Sequence, residues 1–576
     1  MTDTSDIAAL ARHLALQNAS RFGKTSPGVV SGHLLARRPE LARSIKEFMP
    51  LITSICDEVN SLSRNEIQRE LDQLGEAPPV AIQRAAPSEL ELAPNPGLPG
   101  YALRFAPNPD GPLTLGNARP ALLCDFFVKK YKGRFVLRFE DTSPSVKPPL
   151  PEAYGWVFED LNWLGVKVDE VYYQSDRLEL YYSKAKELIQ AGGVYVCLCD
   201  RERFRVYVKR KEPCPHRGQT PAKNLELLDD MLSGKLKAGE AVVRVKTDLS
   251  HPNPAIRDWP ALRIDDAPHP RVGSKYRVWP LYNWSAAIDD HEMGITHIVR
   301  AKEHLTNEAR QQYVFEHFGW KVPTTVTIGR VKLEGSVLSK SKIMAGLKEG
   351  SYLGMDDPRL GTLKSLRRRG ILPEVIRETI LDLGAKPVEA MIKWDNLSSA
   401  NRAMVDGTTK RFFFVGNPVS LVVRGAPAME HVTLPNHPAN KELGERKIVL
   451  SPSQGEMRLL VSSEDLSTAS SGDPFRLMGL FVVKLGSRTG NQATADFENM
   501  SAGSASDRGM KTVQWVPEAS AVPTALLMPD ATWLKGFGES NLCKEKEGEL
   551  VQLMRVGFVK LEEVQAGRIS AVFSHR

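Results

Sequence analysis

Arg104-Phe-Ala-Pro-Asn-Pro-Asp-Gly-Pro-Leu-Thr-Leu-Gly-Asn-Ala-Arg119 is the stretch that decides the fold. Tyr101 to Phe105 reads as a short strand. Pro107, Pro109, Gly111 and Pro112 then fix a turn, and a helix is predicted from Asn117 to Tyr131 with Pro120 tolerated in its first turn. A helix N-terminus with Gly116 allowing close approach suits an anion such as phosphate. On spacing alone, an ordinary tight strand-to-helix turn explains the same residues equally well.

Outward from this turn the pattern repeats. Gly133–Phe139 is strand-like, Pro151–Leu164 is an amphipathic helix stopped by Gly165, and Arg177–Ala191 is a helix stopped by Gly192 and Gly193. Such alternation predicts a parallel sheet covered by helices, with its ligand site at the carboxyl ends of the strands. Before it, residues 1 to about 75 read as helical, with Leu51, Ile55, Val59 and Leu62 at helical spacing. The six prolines between Ala77 and Gly100 predict a linker. From about Phe412, short β-rich runs (Val419–Val423, Lys447–Leu450, Glu456–Val461, Leu480–Leu485, Leu550–Lys560, Ile569–Phe573) predict antiparallel barrels or sandwiches.

Composition agrees with a multidomain globular chain. At 576 residues it is too long for one core, and 42% apolar with 25% charged residues excludes full disorder. No apolar run approaches the ~18 residues of a membrane span, and the start, with Asp3 and Asp6, is not a signal peptide. The net charge of +7 permits a nucleic-acid partner without requiring one, and six cysteines predict a reducing, cytoplasmic compartment rather than a disulfide scaffold.

A second block, Val337-Leu-Ser-Lys-Ser-Lys342, places Lys340 and Lys342 on a loop that could close on a triphosphate. Alone it is as well explained by solvation. Cys197-Leu-Cys199 and, after fourteen residues, Cys214-Pro-His216 form two pairs that can close a tetrahedral zinc site, the alternative being small buried hydrophobes beside a surface histidine. Cys56, Cys124 and Cys543 are isolated and read as packing residues.

Taken together the blocks resemble a family. Gly-Pro-Leu-Thr-Leu-Gly-Asn (111–117) sits where class I aminoacyl-tRNA synthetases carry the HIGH signature, and Val-Leu-Ser-Lys-Ser (337–341) resembles their KMSKS loop. Leu137-Arg-Phe-Glu-Asp-Thr142 and the run from Tyr282 to Arg300 resemble blocks of glutamyl- and glutaminyl-tRNA synthetases. The helical extension and Lys410-Arg-Phe-Phe-Phe-Val-Gly-Asn-Pro418 are similar to the archaeal-type glutamyl-tRNA synthetases, over roughly residues 30 to 576.

The resemblance implies the following organisation: a helical extension and linker (1–97), the first half of a Rossmann-like catalytic domain (98–194), an acceptor-stem-binding insertion carrying the zinc motif (195–275), and the second catalytic half (276–330). A KMSKS-like loop with a helical connection (331–395) and a β-barrel anticodon-binding region (396–576) complete it. It implies ATP-dependent ligation of L-glutamate to tRNA(Glu) through an adenylate, with ATP and Mg2+, a structural Zn2+, a cytoplasmic location, no membrane and a monomeric chain. Charging of tRNA(Gln) as well is left open.

Carried over residue by residue, Lys340, Thr114 and Asn117 are the catalytic candidates. Pro107, Gly111, Thr114, Gly116, Asn117, Arg330, Ser339 and Lys340 are candidates for ATP. Arg104, Ala106, Asn108, Glu140, Tyr282 and Arg300 are candidates for glutamate, and Cys197, Cys199, Cys214 and His216 for the metal. Arg300 argues for glutamate over glutamine, because a guanidinium pairs a carboxylate and leaves an amide poorly matched. A structural ion pair is the alternative for Arg300.

The chain departs from the family pattern in three places. Thr114 and Asn117 replace the two histidines of the signature, Val337 and Leu338 replace the first Lys and the Met of KMSKS, and Ala286 replaces an Asn seen in some bacterial relatives. A glutamine enzyme is one alternative, because the archaeal-type glutamate enzymes share its barrel-type C-terminal half, and Thr114 and Asn117 make a catalytically weakened tRNA-binding relative another. A truncated paralogue that modifies a tRNA base is disfavoured by the β-rich C-terminal half. Arg411, Arg458, Arg476, Trp515 and Trp533 are candidates for stacking on anticodon bases, with core packing the alternative for each tryptophan.

Overall fold

A computed structural model describes residues 4–38, 41, 44–74, 90–467, 469–500, 510–565 and 567–576. Of the expected linker, 77–89 lie outside the described residues. The chain divides into two compact units, residues 1–89 and 90–576.

Among the described residues, the first unit holds four helices, Thr4–Phe22, Pro27–Arg37, Ile45–Ser61 and Arg64–Leu74. Pro27 opens the second, where its missing N–H costs nothing. Ser63 and Glu66 cap the fourth reciprocally: the Ser63 N–H donates to Glu66 and the Glu66 N–H returns to Ser63 Oγ. Ile7, Leu14, Leu34, Ile52, Ile55, Cys56 and Val59 form the buried core. The buried stripe thus runs through Ile52 rather than Leu51.

The second unit is built on a five-stranded sheet whose order is Glu170–Tyr173, Arg134–Phe139, Ala102–Phe105, His297–Ala301, Thr324–Ile328, parallel throughout. Strand order reverses between Ala102–Phe105 and His297–Ala301, which opens a crevice outside their carboxyl ends. The helix after the first strand runs Leu115–Tyr131. It starts two residues before the sequence expectation because Thr114 takes the cap position, so Pro120 lies beyond the first turn.

Between the halves of that sheet, strands Val194–Cys197, Val242–Val245, Pro260–Ile264 and Val278–Pro280 form a separate antiparallel sheet. Helices Lys340–Lys348, Leu363–Arg368, Pro373–Asp382 and Trp394–Val405 follow the second half.

Among the described residues, the C-terminal part holds two seven-stranded sheets, mostly antiparallel, each with two parallel pairings. The edge strands of one, Arg411–Phe412 and Phe414–Gly416, are neighbours in the chain, as are those of the other, Thr512–Val513 and Trp515–Pro517. Each sheet therefore curls almost onto itself, which removes exposed edges. The expected run Leu550–Lys560 is two strands, Leu550–Leu553 and Gly557–Gln565, turned at Arg555 with φ 66°. No turn-forming residue marks Met554-Arg555-Val556, so periodicity carried the reading across the break.

Candidate active site

The crevice is lined by charge that the sheet buries. Arg104, near the end of its strand, donates through Nε to Asp290 Oδ1 at 3.1 Å. Arg138, on the neighbouring strand and fully buried, donates to the same oxygen at 2.6 Å and to Glu140 Oε1 at 3.0 Å. Burial pushes the Glu140 carboxyl up against the downward pull of Arg138 and Arg104. Asp290 is held below the ordinary carboxylate range: its burial is outweighed by Arg104 and Arg138.

Behind this group, the buried Asp289 accepts from Arg177 Nε at 2.8 Å, Gln174 Nε2 at 2.9 Å and the Tyr181 hydroxyl at 2.8 Å. These bonds satisfy a carboxylate that would otherwise be prohibitive at such depth.

Arg300 is different. It is buried, it donates through Nη1 to Gln311 Oε1 at 3.0 Å, and its Nε has no acceptor. Among the described residues no carboxylate lies within ion-pair distance of it, so the structural ion pair is absent. Burial and the nearby Arg104 lower its pKa. Tyr282 opens the helix Tyr282–Glu292 beside it, and the charges of Glu140, Arg104 and Arg300 all act on the Tyr282 hydroxyl. The structure thus brings Arg104, Glu140, Tyr282 and Arg300 close enough for their charges to act on one another. It also uses two donors of Arg104 on Asp290.

The turn of the first motif faces the second motif. Lys340 Nζ donates to the Asn108 carbonyl at 2.9 Å and to Asp110 Oδ1 at 2.8 Å. Asn108 Oδ1 is buried without a protein partner. The Pro107 carbonyl accepts from the Glu140 N–H at 3.0 Å, which fixes the turn against the strand bearing Arg138.

Thr114 Oγ1 lies 3.0 Å from Asn117 Oδ1, which also accepts the Thr114 N–H at 3.1 Å. These two residues therefore cap the helix they begin. A Cβ on Gly116 would meet only Thr114 and Val331, at ordinary contact distance, so nothing in the protein itself demands glycine there. Gly111 lies near Lys340, with φ 154°. Ser339 occupies the cap position of the helix Lys340–Lys348. Arg330 is exposed and paired with Glu303, and Ala106 is half-buried after the first strand.

Backbone bonds stitch the two motifs together: Leu115 N–H to Gly361, Gly361 N–H to Val337, and Leu363 N–H to Leu113. Asp160, fully buried, accepts the Leu113 N–H at 3.1 Å on one oxygen, while the other has no partner. Burial raises its pKa to about 7.

The sequence reading missed Asp110, Arg138, Asp160 and Asp290. Arg138 stood inside one of those blocks as a charge flanked by Leu137 and Phe139, a pattern that signals a buried partner, whereas Asp290, between Asp289 and His291, carried no such signal.

The ligand atoms of Cys197, Cys199, Cys214 and His216 all lie within 4.8 Å of one another. Zinc bonds of about 2.3 Å to sulfur and about 2.0 Å to nitrogen set tetrahedral edges of roughly 3.8 Å between sulfurs and roughly 3.5 Å from sulfur to nitrogen. Cys197 and Cys214 are 3.9 Å apart, and Cys199 Sγ is 3.4 Å from His216 Nδ1. The hydrogen bond with Cys197 draws the Cys214 thiol down to about 5. The same hydrogen bond and burial push the Cys197 thiol up, against the opposing charge of buried Arg244. The donor set fits a tetrahedral metal.

In the C-terminal part, Trp515 is fully buried, with its Nε1 donating to the Met478 carbonyl at 3.0 Å, so it belongs to the core. Trp533 is exposed. Arg411 pairs with Asp406 at 3.2 Å.

Comparison with known proteins meets this geometry. The model "tRNA synthetases class I (E and Q), catalytic domain" matches residues 102–406, and "tRNA synthetases class I (E and Q), anti-codon binding domain" matches 409–499. Curated proteins named glutamate--tRNA ligase are similar over the whole chain. Those of Pyrococcus abyssi and Pyrococcus horikoshii are each 45% identical, covering 99% of this chain and all of theirs. That of Methanopyrus kandleri is 43% identical over the full length of both. With a signature turn and a lysine loop bonded together at the switch point of a parallel sheet, and these matches along its length, the chain belongs to the class I aminoacyl-tRNA synthetases of the glutamate and glutamine subgroup.

Proposed function

We propose that this chain ligates L-glutamate to tRNA(Glu) at the expense of ATP, as a glutamate--tRNA ligase. The observation that carries the choice of amino acid is Arg300, a buried guanidinium with no carboxylate partner. Among the described residues four guanidinia, Arg104, Arg138, Arg177 and Arg300, share three carboxylates, Asp289, Asp290 and Glu140, and the one left without a carboxylate is Arg300. Glutamate, with one net negative charge, balances the pocket, and neutral glutamine would leave the excess in place.

In this reading the side-chain carboxylate sits on Arg300, Tyr282 lines the pocket, Glu140 meets the amino group, and Arg104, Ala106 and Asn108 complete it. Pro107, Gly111, Thr114, Gly116 and Asn117 seat ATP at the helix N-terminus, with Arg330, Ser339 and Lys340 closing from the other side. Mg2+ accompanies ATP as part of that substrate.

An oxygen of the α-carboxylate attacks the α-phosphorus, and the bond to the bridging oxygen of pyrophosphate breaks. Lys340 neutralises the charge that develops on the leaving pyrophosphate. A ribose hydroxyl of the terminal tRNA adenosine then attacks the carbonyl carbon and displaces AMP. Thr114 and Asn117 carry no charge, so the helix dipole and Lys340 supply the stabilisation that histidines would share.

The insertion serves the acceptor stem, and Cys197, Cys199, Cys214 and His216 would hold a structural Zn2+ that ties its loop to the strand Val194–Cys197. The barrels would read the anticodon. The described cysteines are all unpaired, which suits a cytoplasmic compartment, and no helix among the described residues is long and apolar enough to cross a membrane. Aminoacylation of purified glutamate and glutamine tRNAs tests the proposal: glutamate transfer to tRNA(Glu) is expected, and glutamine transfer exceeding it would overturn the choice of substrate.

A further inference from the structure

A chain of side-chain hydrogen bonds leaves Arg300 and returns to the same pocket. Arg300 Nη1 donates to Gln311 Oε1 at 3.0 Å, and Gln311 Nε2 donates to Asn283 Oδ1 at 3.4 Å. Asn283 Nδ2 then donates to Asn307 Oδ1 at 3.2 Å, and Asn307 Nδ2 lies 3.1 Å from His304 Nδ1. His304 ends the turn Lys302–His304, and Asn307 and Gln311 lie on the helix Leu305–Phe318.

The direction of this chain is not free. A guanidinium can only donate, so the atom of Gln311 that meets it is the oxygen. The Gln311 nitrogen is then turned to Asn283, whose oxygen must accept, and the same constraint passes through Asn307. Reversing any one amide would place two oxygens or two donors face to face. The last amide therefore donates to His304 Nδ1, and the ring proton is on Nε2.

The His304 ring centroid is 5.9 Å from that of Tyr282, and its Nε2 has no protein partner among the described residues. Burial, with Arg300 and Arg104 nearby, lowers its pKa; Glu303 opposes this and Lys147 adds to it. The ring is thus held neutral.

We propose that Arg300 sets the tautomer of His304 through Gln311, Asn283 and Asn307, and that the His304 Nε2–H donates to the carboxylate of the amino acid seated on Arg300. This rests on the glutamate reading above. His304 is then a substrate-binding residue, and Asn307 is a positioning residue that acts through it. The arrangement makes recognition stricter than a lone arginine would. The same residue that attracts the carboxylate also orients a second donor toward it.

The test has two independent arms. In full-length protein with 15N-labelled histidine, assigned by loss of one signal in His304→Leu, the His304 ring should be the neutral Nε2–H tautomer. Asn307→Leu should mix the two tautomers. In pyrophosphate exchange with tRNA present, His304→Leu should raise the glutamate KM about 10- to 100-fold, the usual loss for a hydrogen bond to a charged group. The ATP KM should be unchanged and kcat should move much less, and His304→Gln, which restores an N–H near the same place, should recover most of the loss. An Nδ1–H tautomer in the wild-type protein, or an unchanged glutamate KM in His304→Leu, overturns the assignment and leaves the ligase reading in place. Activation of glutamine rather than glutamate by wild-type protein overturns the ligase reading, while the tautomer measurement still decides the relay.

Discussion

Lys340 Nζ lies 2.8 Å from Asp110 Oδ1, so the lysine of the second motif is seated on a carboxylate of the first. The two residues are 230 positions apart, and both side chains are partly exposed. To reach a phosphate, Lys340 must leave Asp110. An accessible pair of this kind is worth about 0.2–1 kcal/mol. Asp110→Asn should therefore lower the ATP KM by at most a few fold, measured by pyrophosphate exchange. A KM that rises instead would make Asp110 a guide for the lysine rather than a latch. Lys340→Ala should reduce the rate about 100- to 1000-fold, as loss of one preorganised charge commonly does.

Arg300→Met should reduce kcat/KM for glutamate by about 2–4 kcal/mol of transition-state binding, since it removes the charged partner of a buried carboxylate. The variant should fold, because Arg300 makes no ion pair whose loss would strand a carboxylate. Steady-state kinetics beside a thermal melt separates the two effects. A drop in melting temperature without a kinetic penalty would place Arg300 in the scaffold.

Asp160 gives a pH dependence with a defined sign. Its folded pKa, about 7, lies above that of the unfolded chain because burial penalises the charge. The folded state binds this proton more tightly, so the stability it contributes is complete below the unfolded value and is lost as pH rises toward and through 7. Asp160→Asn keeps an acceptor for the Leu113 N–H and removes the titration. The variant should gain melting temperature relative to wild type at pH 8, and more than it does at pH 5. Equal differences at both pH values would show that Asp160 is charged at no cost.

Metal analysis of protein purified without chelators should find close to one zinc per chain, and Cys214→Ser should lose most of it and melt earlier. The Cys197–Cys214 and Cys199–His216 separations are close to tetrahedral edges, and all four ligand atoms lie within 4.8 Å of one another. Metal-free protein with an unchanged melt would make the cluster ordinary core.

The two tryptophans of the barrels should part company on mutation. Trp515→Ala empties a fully buried site and should cost about 3–5 kcal/mol of stability. Trp533→Ala removes an exposed ring, and if a tRNA base stacks there, affinity should fall by about 1–3 kcal/mol with little change in the melt. Filter binding with anticodon-substituted tRNAs checks the second. Unchanged affinity would return Trp533 to the plain surface.

Much of this protein is legible along the chain. The parallel sheet, the helix after the first turn and the Cys-x-Cys/Cys-x-His pairs rest on alternation, punctuation and spacing, which neighbouring residues impose on one another. Arg300 could be singled out by its residue type and its resemblance, and the four candidate metal-binding cysteines and histidine by spacing. Tertiary structure alone decided that Arg104 and Arg138 share Asp290, that Lys340 rests on Asp110, and that an amide relay ends on His304. It also decided that Trp515 is core while Trp533 is surface, and that the run after Leu550 breaks at Arg555. The physical reason is common to all of these. Hydrophobic periodicity tells which face of an element is buried, but not which charge from a distant strand will be buried against it. In a low-dielectric crevice that partner decides whether a charge is satisfied in place or held open for substrate.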